Sequence, residues 1–300
     1  PVARGGYAWW YVDAVSDDGR HGLTIIAFIG SVFSPYYAWS AEKDPFAHCA
    51  MNVVLYGDRG RFAMTERRAA SLSRGPDHIA IGPSAMHWDG TALTVRIDER
   101  GAPLPHRLRG TVRLEPRGFT AGPFHLDRAG RHRWWPMAPS SRVEVDFDQP
   151  DLRWSGGGYF DTNDGDEPLE AAFSRWTWCR ADLPDGAAIL YDVHHRDGGG
   201  QNLSLRFSAD GSRREIRPPP AASLPATGFW RMPRETRSDD GRSRVLATYE
   251  DTPFYARSLL ASTLGGEPVR AMHESLSLDR FRNPLVRLML PFRIPRPLAP

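Results

Sequence analysis

Tyr159 and Asp161 stand two residues apart in RWSGGGYFDTNDGDEP, and His132 and Trp134 stand two apart in GRHRWWP. On an extended chain such pairs share a face. Each pair therefore aims two functional side chains the same way if its segment is a strand. A carboxyl, a phenol, an indole and an imidazole brought together on two strands suit proton transfer to an electron-rich, apolar substrate. The same residues also suit a solvated acidic turn beside ordinary strand aromatics, and residue types alone leave both arrangements open.

Other chemistries are poorly represented. The chain has no phosphate-cradling glycine loop, no zinc-protease histidine pair, no serine nucleophile elbow and no paired CxxC. His194 and His195 are adjacent in a strand-like segment, so they point to opposite faces and cannot readily share a metal. The acidic run DTNDGDEPLE resembles a calcium loop only in composition, because its sixth residue is Asp166 where such a loop needs glycine. Cys49 and Cys179 match no metal spacing and read as buried or idle thiols. No cofactor and no metal are expected. The formal charge is only +2, and a single lysine, Lys43, stands among arginines interleaved with acids. That pattern is a solvated surface, not a nucleic-acid footprint.

The elements that must position these residues read as strands. With 28 glycines and 26 prolines in 300 residues, turns are frequent and a helical bundle is excluded. YAWWYVDAV, the turn SDDGRHG and LTIIAFIG form a hairpin. Period-two alternation recurs in CAMNVVLYG, RFAMTER, ALTVRIDER, RLRGTVRLEP and SRVEVDFDQP. One short helix is expected over Glu167–Trp176. The first hairpin is echoed by RWTWCRADLPDGAAILYDV, with Trp9 and Trp10 matching Trp176 and Trp178, and Asp18-Gly19 matching Asp185-Gly186. The fold class is therefore all-β: two antiparallel β-barrel halves in tandem with few short helices, over residues 1–150 and 151–300. A barrel enclosing an apolar interior would suit an elongated hydrophobic ligand, while two solid sandwiches fit the patterning equally well.

The longest apolar stretch, Leu23–Phe33, is too short for a spanning helix. The terminal NPLVRLMLPFRIPRPLAP mixes Leu, Met and Phe with arginines. It suits either peripheral contact with membrane lipid or a plain terminal strand and tail. The start at Pro1 reads as trimmed or processed.

Longer blocks carry a resemblance. GGYAWWYVDAVSDDGRHGLTIIAFIGSVFSPYYAWS is similar to the N-terminal signature of the bacterial carotenoid 1,2-hydratases, also called hydroxyneurosporene synthases. The likeness continues through IGPSAMHWDG, GRHRWWPMAP, LRWSGGGYFDTNDGDEPLE, FWRMPR and EDTPFYARS, and so covers essentially the whole chain. It implies a lipocalin-like fold in both halves and a cofactor-free hydro-lyase. The implied partners are water and an acyclic carotenoid such as neurosporene or lycopene, met at the inner (photosynthetic) membrane from the cytoplasmic side. It also implies an essential set, which falls on His132, Trp134, Tyr159 and Asp161.

Hydration of a trisubstituted alkene begins with protonation of carbon 2 and leaves a tertiary cation at carbon 1 for water to attack. An exposed Asp, with a pKa of about 4, would already be ionised. Burial in an apolar channel would keep Asp161 protonated, and the neighbouring Asp164, Asp166 and Glu167 would add to this unless they point to solvent, which the sequence leaves open. Trp134 and Tyr159 would turn π-faces toward the cation, while Tyr159 or His132 would place the water or hold the acid's proton. Two other functions remain compatible with the residues: a lipocalin-like carrier of an apolar ligand, and a cyclase that excludes water.

Overall fold

A computed structural model describes residues 2–58 and 60–297. The chain forms two compact units: Pro1–His125, Ala129–Pro168 and Leu288–Pro300 in the first, and Leu126–Arg128 with Leu169–Arg287 in the second.

The strands of the first unit are β1 (Tyr7–Ser16), β2 (Gly22–Ile29), β3 (Cys49–Tyr56), β4 (Arg61–Arg67), β5 (Leu72–Arg74), β6 (His78–Ile81), β7 (Ser84–Trp88), β8 (Leu93–Arg100), β9 (Arg107–Pro116), β10 (Phe124–His125), β11 (His132–Gln149) and β12 (Asp151–Gly165). They make one antiparallel sheet of order β4-β3-β2-β1-β12-β11-β9-β8-β7-β6-β5, with β10 on β11. The sheet is nearly closed into a barrel. Arg67 of edge strand β4 reaches Glu99 of β8 at 2.7 Å, and Ser84 donates to the other carboxylate oxygen at 2.7 Å. Alternate residues from strand after strand, among them Val12, Ile25, Val53, Val95, Val112, Val145 and Phe160, fill the interior as one apolar cluster. The expected boundary at residue 150 falls inside this sheet, because β12 pairs with both β1 and β11.

The second unit holds β13 (Phe173–Leu183), β14 (Gly186–His195), β15 (Gly200–Ser208), β16 (Arg213–Glu215), β17 (Ala221–Leu224), β18 (Arg234–Arg237), β19 (Arg244–Asp251), β20 (Tyr255–Leu264) and β21 (Glu267–Ser277). Seven strands form a sheet of order β16-β15-β14-β13-β21-β20-β19, and β17 pairs with β18 in a separate ribbon. The β13–β14 hairpin, like β1–β2, heads its sheet with paired aromatics, as the sequence echo anticipates.

Helices are few and short: α1 (Pro35–Trp39), α2 (Leu169–Ala172), α3 (Leu278–Phe281) and α4 (Pro284–Met289). The helix expected over Glu167–Trp176 shrinks to α2, because Phe173, Trp176 and Trp178 bury their rings on β13. Aromatic residues with sheet partners on both sides favour the strand. Among the described residues the C-terminal stretch contains no strand; α4 is followed by a single tight turn at Leu290–Phe292. Among the described residues, no helix is long and apolar enough to cross a membrane. Cys49 and Cys179 are buried free thiols, each pushed up to about 12 by burial.

Candidate active site

Three adjacent strands, β1, β12 and β11, carry the candidate residues, and β12 runs down the middle. Its glycines set how closely the three approach. A Cβ on Gly156 would stand 1.9 Å from the Val15 carbonyl oxygen, and one on Gly158 would stand 2.1 Å from a Val143 methyl. At the other end, a Cβ on Gly165 would meet the Tyr7 ring at 2.4 Å and His132 Nδ1 at 2.7 Å. Glycine at 165 therefore lets Tyr7 and His132 touch across β12, where their hydroxyl and Nδ1 lie 2.9 Å apart.

Alternation along β12 decides which way the acid points. Phe160 belongs to the apolar cluster of the first unit, so Tyr159 and Asp161 project from the opposite face. The acid therefore lies on the face of β12 opposite the apolar cluster. Asp161 is nonetheless only 5% exposed and Tyr159 is fully buried.

Tyr159 donates its hydroxyl to Asp161 Oδ2 at 2.7 Å, and Trp134 donates its indole N–H to the same oxygen at 2.9 Å. Tyr11 packs edge-on against Tyr159, with ring centroids 6.0 Å apart, and Phe124 stacks on Trp134 at 5.6 Å. Trp134 is in register with Asn163, so Asp161 is its diagonal neighbour on β12, within reach of a long aromatic side chain.

Three of the four expected residues thus form one hydrogen-bonded cluster, and His132 lies further along the same face. It shares the face of Trp134, but its register partner is Gly165, four residues along β12 from Asp161. Its contacts include Tyr7, which also stacks on Trp9 with centroids 4.9 Å apart, and Glu167 Oε1, 3.4 Å from Nε2.

The acidic neighbours pair with arginines, the arrangement the sequence left open beside one that acts on Asp161. Asp164 projects to the face opposite Asp161 and pairs with Arg133. Asp166 also binds Arg133, at 3.0 Å, and that guanidinium holds its carboxyl below the usual range. Glu167 meets Arg131 at 3.1 Å. These charges are compensated locally and are not aimed at Asp161. They also form no metal cage: among the described residues, no group of three or more His, Cys, Asp or Glu could hold an ion.

Several residues of this face lay unassigned in the sequence reading. Tyr7, Trp9, Tyr11 and Asp13 alternate along β1, and all four are at most 7% exposed. Asn163, 4% exposed, lies in register between Trp9 and Trp134. The signal was available in YAWWYVDAV, a strand apolar on both faces except for one carboxylate.

An antiparallel, lipocalin-like β fold bearing a buried acid bound to an indole and a phenol defines a class suited to acid chemistry on apolar ligands. The family model "Carotenoid hydratase CrtC" matches residues 25–299. The chain belongs to the carotenoid hydratase family. It is 56% identical to the acyclic carotenoid 1,2-hydratase of Thiocapsa roseopersicina, over 98% of this chain and 74% of that protein. It is 51% identical to the enzyme of the same name from Rubrivivax gelatinosus, over 99% of this chain and 75% of that one. Among solved structures, kievitone hydratase from Nectria haematococca superposes with a TM-score of 0.58 at 10% identity, covering 92% of this chain and 90% of its own. At that identity the likeness concerns the fold alone.

Proposed function

We propose that this chain adds water across the terminal 1,2 double bond of an acyclic carotenoid such as neurosporene or lycopene, with Asp161 as the acid. The observation that carries this reading is the convergence of Trp134 and Tyr159 on Oδ2 of a carboxyl that is 5% exposed. On this reading the proton sits on the other oxygen, Oδ1. Asp161 passes it to carbon 2: the O–H bond breaks, the alkene π pair forms the C–H bond, and a tertiary cation is left at carbon 1. The donors on Oδ2 stabilise the carboxylate charge that develops as the proton leaves. The rings of Trp134, Tyr159 and Tyr11 supply π-faces for the cation, on the order of 1–2 kcal/mol each when water is excluded. Water then closes on carbon 1 to give a tertiary alcohol. On this reading His132 acts at a distance by holding Tyr7, and it does not transfer the proton.

A carotenoid substrate is met in lipid. Leu285, Leu288, Met289 and Phe292 are exposed within one short run, with Phe292 at 74%. We assign this run to peripheral contact with the inner membrane from the cytoplasmic side.

The test is turnover of neurosporene and lycopene in heavy water. Hydration through Asp161 places one deuterium at carbon 2 of a 1-hydroxy product, and Asp161→Asn loses turnover while keeping its melting transition. Retained turnover in that variant refutes the assignment of the acid. A cyclic product in place of the alcohol would favour a cyclase.

A further inference from the structure

Asp13 is a buried carboxyl for which the protonation step has no use. It lies in the middle of β1, is 0% exposed, and alternates with Val12 and Ala14, which belong to the apolar cluster. Asp13 therefore projects from the same face as Asp161. Its register partner on β12 is Tyr159, and its partner on β2 is Thr24; Tyr11 is its neighbour along β1 and the partner of Asp161. Asp13 and Asp161 are thus diagonal neighbours on adjacent strands, a placement that sets side-chain origins about 7–8 Å apart.

We propose that Asp13 is the base that receives the proton of the attacking water, which makes the site a two-carboxyl device. This rests on the reading of Asp161 as the acid. Hydration has two proton transfers: one to carbon 2 and one away from the water oxygen once it bonds carbon 1. Asp161 has just become a carboxylate after the first, held by Trp134 and Tyr159. A second carboxylate at diagonal spacing on the same face is near enough to receive a proton from a water held beside the first. Like charges at this distance disfavour double ionisation, so one carboxyl stays protonated while the other is ionised. The proposed cycle begins with the proton on Asp161 and with Asp13 ionised. In the second step the water oxygen bonds carbon 1, one O–H bond breaks with its electron pair left on oxygen, and the proton moves to an Asp13 oxygen. The resting state returns when Asp13 gives up that proton and Asp161 regains one.

The purified alcohol product, incubated in oxygen-18 water, separates the two carboxyls. Exchange of its hydroxyl needs only loss and return of water at carbon 1. It uses Asp13 in both directions and needs no proton transfer at carbon 2. Asp161→Asn is expected to lose hydration yet keep oxygen exchange. Asp13→Asn is expected to lose both, by about 100-fold or more, the usual worth of a positioned base. In Asp13→Ala, added formate is expected to restore exchange in proportion to its concentration, which a purely structural role for Asp13 would not produce. Loss of exchange in Asp161→Asn overturns the proposal by placing both transfers on one carboxyl, and so does wild-type exchange in Asp13→Asn or failure of formate to rescue. Full hydration by Asp161→Asn would instead sink the underlying assignment of the acid, a result distinct from all of these.

Discussion

The indole N–H of Trp134 is donated to Oδ2 of Asp161 at 2.9 Å, from a strand adjacent to the one that carries the acid. Tyr159 donates to the same oxygen at 2.7 Å from within the acid's own strand. One carboxylate oxygen is thus held from two directions, by groups whose rings also border the site. This arrangement assigns each residue a polar function and an apolar one, and the two can be separated by substitution.

Trp134→Phe keeps a π-face and removes the donor; Tyr159→Phe does the same. Hydrogen bonds to a charged group are worth about 1.5–3 kcal/mol, so each variant is expected to lower kcat by roughly 10- to 100-fold. KM should change little, since neither ring is lost. Because the donors share an acceptor, the double variant should differ from the sum of the singles. Steady-state kinetics on the four proteins checks this. A kcat within twofold of wild type in both single variants would show that the donors serve packing alone.

The strands and their faces were legible because alternation is written directly into the sequence. The pairs His132/Trp134 and Tyr159/Asp161 do lie on strands, each pair on one face, as their spacing requires. Three facts were not legible. Trp134 meets Asp161 as a diagonal neighbour across β11 and β12, a register relationship that local spacing does not encode. The position of His132, four residues along β12 from the acid, follows from pairing with Gly165 and not from its closeness to Trp134 in the chain. The inert character of Asp164 and Asp166 depends on Arg133, whose side chain meets both. Asp13 was visible as a lone carboxylate in an apolar strand. Only the register with β12 gives it a neighbour with which to do chemistry.

The proposed membrane contact can be tested at the exposed apolar run, where Leu288 and Phe292 are 58% and 74% exposed. Leu288→Glu and Phe292→Glu are expected to weaken co-sedimentation with liposomes of mixed anionic and neutral lipid. Each removes apolar burial on the order of 1.5–3 kcal/mol, so the bound fraction should fall severalfold. Turnover of carotenoid in liposomes should fall with it, while turnover of detergent-dispersed substrate stays near wild type. Unchanged liposome binding in the double variant would remove this run from any role at the membrane.

His273 carries a pH dependence whose sign can be stated. It lies fully buried in β21, with Nε2–H donated to the Glu235 carbonyl at 2.8 Å. Burial, aided by the charge of Arg234, lowers it from 6.5 to about 4. The folded protein therefore keeps His273 neutral where the unfolded chain would protonate it. Its contribution to stability is complete above pH 6.5 and is lost as pH falls toward 4. Each pH unit in that window is worth up to about 1.4 kcal/mol, so the full loss is about 3 kcal/mol. His273→Gln retains a donor for Glu235 without a titrating ring. Urea unfolding at a series of pH values should give the variant a shallower loss of stability between pH 6.5 and 4 than wild type. Parallel curves would mean that His273 is protonated in the folded state throughout, with a charge compensated inside the second unit.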